Sequence, residues 1–261
     1  TNKLQLANSV TLTANQMGFG GTGSVSGTKT LTILPRTAGY TVDLGSGGTS
    51  SSQLMLTSDA FNGYQGKLYI GGVPGTVNDA ASSLAGLPIA GSVLLDGDIS
   101  LGTSGTLVIV SKGNLTLESG TISAGTVILG ASDQLLSAPT GTNPATVEGN
   151  NIYTIAAQIG QNGTGQAIDV GNLPGGAPAQ LFIGSKNSSV FFVEAPGTQE
   201  NKDPNEQTLV DFAGALGISP LSGNVTVTNS GQQTAANQQT GGLLTSGFID
   251  EIGRASCRGR V

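Results

Sequence analysis

No histidine or tryptophan occurs in these 261 residues, and the single cysteine is Cys257. Without histidine, a serine or cysteine nucleophile lacks its usual partner base, and the commonest nitrogen ligand for metals is missing. With one cysteine there is no internal disulfide and no thiolate metal cluster. Charge is scarce as well: 10% of the residues are charged, against about a quarter in an ordinary globular chain. The charge present is acidic, net −6, and no lysine or arginine run precedes residue 254. Nucleic acid is therefore excluded as a partner, because phosphate contacts need a basic footprint. No apolar run reaches the roughly 18 residues that a transmembrane helix requires.

What is abundant is glycine, 42 residues, together with Ser, Thr, Asn and Gln. Disorder would explain such a composition if hydrophobicity were low and net charge high. Instead 37% of the residues are hydrophobic, gathered in short β-branched clusters bounded by glycine. That pattern predicts strands and tight turns.

The strands expected are short and closely spaced. Between residues 92 and 129 they fall at 92–95, 99–101, 107–110, 115–117, 121–122 and 127–129, separated by Asp-Gly-Asp, Gly-Thr-Ser-Gly, Ser-Lys-Gly-Asn, Glu-Ser-Gly and Ser-Ala-Gly. Helical crossovers between parallel strands need a dozen or more residues, so a βαβ arrangement is excluded. An antiparallel sandwich and a β-solenoid remain, and the uniformity of the units favours the solenoid. Leu115, Leu117, Ile122, Val127 and Leu129 are assigned inward, with Thr116, Glu118, Thr126 and Ile128 outward. Three segments complete a coil of roughly 18 to 25 residues. The same grammar appears at 10–13, 30–34, 40–44, 53–57 and 67–70, and again at 133–137, 152–159, 166–170, 180–183, 190–193 and 225–228. A short helical turn or an outward bend is expected at 59–63, with Ser58 or Asp59 as its cap, and a short helix at 208–216 that covers an edge or crosses the sheet.

The expected organisation is all-β, a right-handed parallel β-helix with loop excursions. Coils occupy 1–72 and 91–194, with a loop or insertion at 73–90. A projecting acidic loop and short helix fill 195–217, and a last coil with exposed turns fills 218–250. Residues 251–261 hold three of the four arginines and the cysteine, and they resemble translated cloning-adaptor sequence. They are set aside, and both ends are expected to be artificial boundaries of a longer protein.

The order of certain phrases carries a family resemblance. Gly27-Thr-Lys-Thr-Leu-Thr-Ile-Leu-Pro-Arg-Thr-Ala-Gly-Tyr-Thr-Val-Asp-Leu-Gly45, followed by 54–56, 59–61 and 68–71, resembles a recurring unit of filamentous-haemagglutinin-like exoproteins. Residues 113–117 and the run from Ile155 through Ala167-Ile-Asp-Val170 to Leu181-Phe-Ile-Gly184 are similar in kind. The resemblance implies an interior stretch of a right-handed β-helix in a two-partner-secreted bacterial adhesin. It also implies an outer-membrane partner transporter, a secreted or outer-surface location, and a host or matrix glycan or protein as target. It brings no catalytic residues and no cofactor.

Candidate sites are few. Phe19, Tyr40, Tyr64, Tyr69 and Tyr153 are the aromatics an adhesive surface would use against sugars or peptides, although at least half of them suit a core equally well. Asp96-Gly-Asp98 and the loop carboxylates Glu200, Asp203 and Glu206, beside Glu194, are the candidate cation ligands. A calcium ion needs about six or more oxygens, which Asp96 and Asp98 alone do not supply. Gly18-Phe-Gly-Gly-Thr-Gly23 lacks the lysine of a phosphate loop and reads as a turn. The function expected is a non-catalytic stalk that mediates attachment. The alternatives are a polysaccharide-active β-helix enzyme or tailspike-like protein, distinguished by a groove with clustered carboxylates, and a purely structural surface-layer or fibre subunit.

Overall fold

The computed structural model describes residues 3–19, 21–45, 52–73, 88–137, 145–161 and 167–229, with the backbone of a small pairing at 233–234 and 237–238. The expected insertion lies mostly at 74–87, outside the described residues, as do most of the exposed turns expected after 229 and the tail at 251–261.

Sixteen strands form one sheet, and every pairing within it is parallel. The sheet curls over a common core because its longest strand, Thr121–Ser137, takes part in three different ladders. The first ladder runs through Val10–Thr13, Thr30–Leu34, Lys67–Ile70, Thr106–Ser111, 126–131, 151–156, Gln180–Ser185 and Gln199–Asn201. The second runs through Gln53–Thr57, Thr41–Gly45, Ser92–Leu95, Leu115–Leu117, 135–137 and 158–159. The third joins Ile99–Ser100 to 121–124, 146–149, Ile168–Gly171 and 192–194. This arrangement is all-β and consistent with a β-solenoid. Leu107 pairs with Val127 and Val127 with Ile152, steps of 20 and 25 residues within the expected coil length, whereas Leu31 to Leu68, Leu68 to Leu107 and Ile152 to Leu181 are longer steps of 37, 39 and 29 residues.

Inward positions stack like on like. In the first ladder Leu31, Leu68, Leu107, Val127, Ile152 and Leu181 lie in register, and all are buried. Val42, Val93, Leu115, Leu135 and Ile159 form the corresponding column in the second. Each buried Leu, Ile or Val contributes about 1.5–3 kcal/mol, and a repeat that cannot bury its face alone does so against its neighbours. Leu115, Leu117, Ile122, Val127 and Leu129 point inward as assigned.

Corners need glycine where coils approach closely. Gly120, between Leu117 and Thr121, has φ +86°, and a Cβ there would lie 2.5 Å from the Gly97 carbonyl carbon of the preceding coil. No other residue type fits that conformation and that gap.

Several elements depart from expectation. The segments at 121–122, 127–129 and 133–137 are one bent strand, because the turn residues between them still pair with their neighbours. Leu4–Leu6 and Val25–Gly27 form an unexpected parallel pair, and Gln199–Asn201 is a strand within what reads as a projecting loop. Gln53–Thr57 lies on the far side of Thr41–Gly45 from Ser92–Leu95, so one strand is stacked out of chain order. The helical turn is a 3-10 turn at Ser58–Phe61, preceded by Thr57 with no side-chain cap.

The helix, α1, spans Gln207–Leu216 and lies on the outer face of the first ladder. Its Leu209, Phe212, Ala213 and Leu216 join Leu34, Tyr69, Val108, Val110, Ile128 and Ile155 in a second apolar cluster. Ile128 thus faces outward, as assigned, yet is covered.

Candidate functional site

The aromatic candidates are mostly packing residues. Tyr64 is fully buried, donates its hydroxyl to the Lys29 carbonyl, and has its phenol pushed up to about 12 by burial. Tyr69 is buried under the outer cluster, with the Lys67 ammonium 5.8 Å from its ring centre. Phe19 packs edge-on against Phe61, ring centres 5.2 Å apart. Tyr40 lies half-buried against the main core. Tyr153 stacks on Phe182 at 4.3 Å beside α1. The five rings are dispersed and form no common platform.

Of the candidate cation ligands, Asp98, Asp203, Glu206 and Glu200 are engaged in local structure. Asp98 Oδ1 accepts from the Thr121 N–H at 2.7 Å, which ties one coil's turn to the next. Asp203 Oδ1 accepts from the Asn205 N–H at 2.9 Å, and Glu206 Oε2 accepts from the Leu209 N–H at 2.8 Å, capping α1. Glu200 pairs with Lys202 at 2.8 Å. Among the described residues, no group of three or more Asp, Glu, His or Cys side chains is placed to hold a metal ion.

Parallel stacking instead gathers carboxylates at three stations. At the first, Asp43 is buried on the second ladder, and its carboxyl is raised by burial, then by Asp96 and Glu118. Asp96 Oδ1 is buried without a hydrogen-bond partner, and a Cβ on Gly45 would come 1.3 Å from it, so the carboxylate occupies the space that a side chain at 45 would need. At the second, Glu148 and Asp169 lie on adjacent strands of the third ladder. Burial and then Asp169 raise Glu148, against a hydroxyl bond from Ser123. Asp169 is raised by burial, partly offset by the Thr146 hydroxyl at 3.4 Å. At the third, Glu194 sits beside Glu200 and Lys202. Burial, then Glu200, push it up to about 7, while Lys202 acts in the opposite sense.

Sequence reasoning singled out Asp96, Glu200 and the neighbouring Glu194 but passed over Asp43, Glu148 and Asp169. A signal existed: Val-Asp-Leu at 42–44 and Ile-Asp-Val at 168–170 each place a carboxylate between two inward apolar residues. Such an aspartate must face outward, and stacking then brings it beside the acids of adjacent coils.

Comparison with known protein families, with curated proteins and with solved structures finds no match to this chain.

Proposed function

We propose that this chain is a length of right-handed parallel β-helix from a secreted or surface-displayed bacterial exoprotein of the filamentous-haemagglutinin kind, and that it serves as a stalk for attachment without catalysing a reaction. The observation that carries this reading is the first ladder. Its eight strands, from Val10–Thr13 to Gln199–Asn201, are all parallel and span about 34 Å at the usual strand spacing of roughly 4.8 Å. A stack of this kind lengthens by adding coils and needs no tertiary redesign to do so. The absence of histidine and the small number of charged side chains support a mechanical and adhesive role over a catalytic one.

A polysaccharide-active β-helix is the second reading, favoured by the raised carboxyls of Glu148 and Asp169 on neighbouring strands. One experiment separates the two. The purified chain is incubated with immobilised matrix proteins and a glycan array, and soluble polysaccharides are assayed for new reducing ends. Retention on a matrix or glycan surface without product release is the expected result. Product release that disappears in Glu148→Gln and Asp169→Asn would replace the stalk reading with the enzymatic one.

A further inference from the structure

In the last coil described, two inward columns of the core carry acid at the same level. After Leu181 the next residue in register on the first ladder is Glu200, and after Val170 the next on the third ladder is Glu194. In every earlier coil described these two columns are aliphatic: Leu31, Leu68, Leu107, Val127 and Ile152 in one, Ile99, Ile122 and Val147 in the other. Glu194 is 7% exposed, and its Oε1 is buried with no hydrogen-bond partner. The first coil described differs, with Leu4, 42% exposed, and the half-buried Val10 and Leu12 at its inward positions.

The charged groups facing Glu194 are Glu200 and Lys202, both on the Gln199–Asn201 strand or next to it. Strand Ile168–Gly171 places Val170 beside it, and Thr226–Asn229 places Asn229, whose Oδ1 accepts from the Glu194 N–H at 3.4 Å. Neither residue titrates. Asp169 lies on the other face of its strand, held by Thr146.

We propose that Glu194, Glu200 and Lys202 form a proton-controlled cap over the last described residues of these two columns, which holds Gln199–Asn201 on the stack when one proton is shared and releases it when that proton is lost. With one proton, the two carboxyls are joined by a hydrogen bond, and their single negative charge is matched by the Lys202 ammonium. Without it, two carboxylates face one ammonium, and the buried oxygen of Glu194 carries charge with no donor, a costly state in a low-dielectric site. The strand at risk has three residues and, among the described residues, pairs on one side only, with Gln180–Ser185. The raised Glu194 supports the same direction. Its stabilising contribution is complete below its ordinary value of 4.5 and is lost as pH rises through about 7.

The test is hydrogen–deuterium exchange of the full chain from about pH 5 to about pH 8.5, corrected for intrinsic exchange. Amides of 199–203 are expected to lose protection on the order of tenfold or more across that range, while 106–131 stays protected at every pH. Glu194→Gln should keep 199–203 protected throughout. Lys202→Met removes the cation that favours the ionised form, so the loss should move to higher pH. Unchanged protection in the wild type, the same loss in Glu194→Gln, or a downward shift in Lys202→Met would each overturn the cap.

Discussion

A carboxyl group in this molecule is tuned chiefly by the coils above and below it. Burial in the stack acts first on Asp43 and the carboxylates Asp96 and Glu118 of later coils act next, while its chain neighbours Val42 and Leu44 carry no charge. Its carboxyl is raised from an ordinary 3.8, so the fold favours the neutral acid. The stability this group contributes is complete below that value and is lost as pH rises through the folded value. Asn at this position keeps the shape and cannot ionise. Asp43→Asn is therefore expected to melt higher than the parent at about pH 7, with the difference closing below about pH 4, followed by circular dichroism. An Asn variant that melts at or below the parent near neutrality would show that the carboxylate is favourably paired.

At the scale of elements, the helix is held by glycines that its own sequence does not contain. Leu216 packs over Gly130, where a Cβ would lie 3.1 Å from Leu216 Cδ1, and Leu209 and Leu221 pack over Gly184, at 3.2 and 3.1 Å. Both glycines occupy outward positions of the first ladder and leave a hollow in an otherwise bulky row of Tyr, Val, Ile and Phe. Gly184→Val should push α1 off its seat and cost about 1–3 kcal/mol in urea denaturation. Gly214, inside α1, has open space around it, so Gly214→Ala should add about 0.5–1 kcal/mol. Opposite signs from the two substitutions would separate docking from helix propensity. A short helix was expected at 208–216, and α1 spans Gln207–Leu216. Its seat was not legible, because Gly130 and Gly184 come onto one outward row only through register between coils.

At the scale of the whole molecule, stability is a sum over neighbouring coils, so a complete coil can be removed while a partial one cannot. Thr106 and Thr126 occupy equivalent positions in successive coils. Excision of 106–125 places 126–131 against Lys67–Ile70, Leu135 against Val93 and Val147 against Ile99, so every column keeps an aliphatic neighbour. That variant is expected to retain its β circular dichroism and unfold cooperatively, and to be shorter by one strand spacing of about 4.8 Å in small-angle scattering. Removing 106–115 instead shifts the columns out of register and should abolish folding. If both deletions fold equally well, the coil is not the unit of assembly.

Sequence by itself determined the short strands and their inward residues. Alternation along Thr30–Leu34, Lys67–Ile70 or Leu115–Leu117 is a local property, and glycine at the corners reports a local backbone demand. Turn spacing gave the coil length only between Leu107 and Ile152, because the longer steps from Leu31 to Leu107 and from Ile152 to Leu181 include additional segments. Tertiary structure alone decided which residues meet across coils: the out-of-order seat of Gln53–Thr57, the pairing of Gln199–Asn201 inside an acidic loop, and the arrival of Glu194 and Glu200 in two otherwise aliphatic columns. Each depends on register between segments separated by 12 residues or more, as Thr41 is from Gln53, and a one-residue change in any connection would reverse the faces.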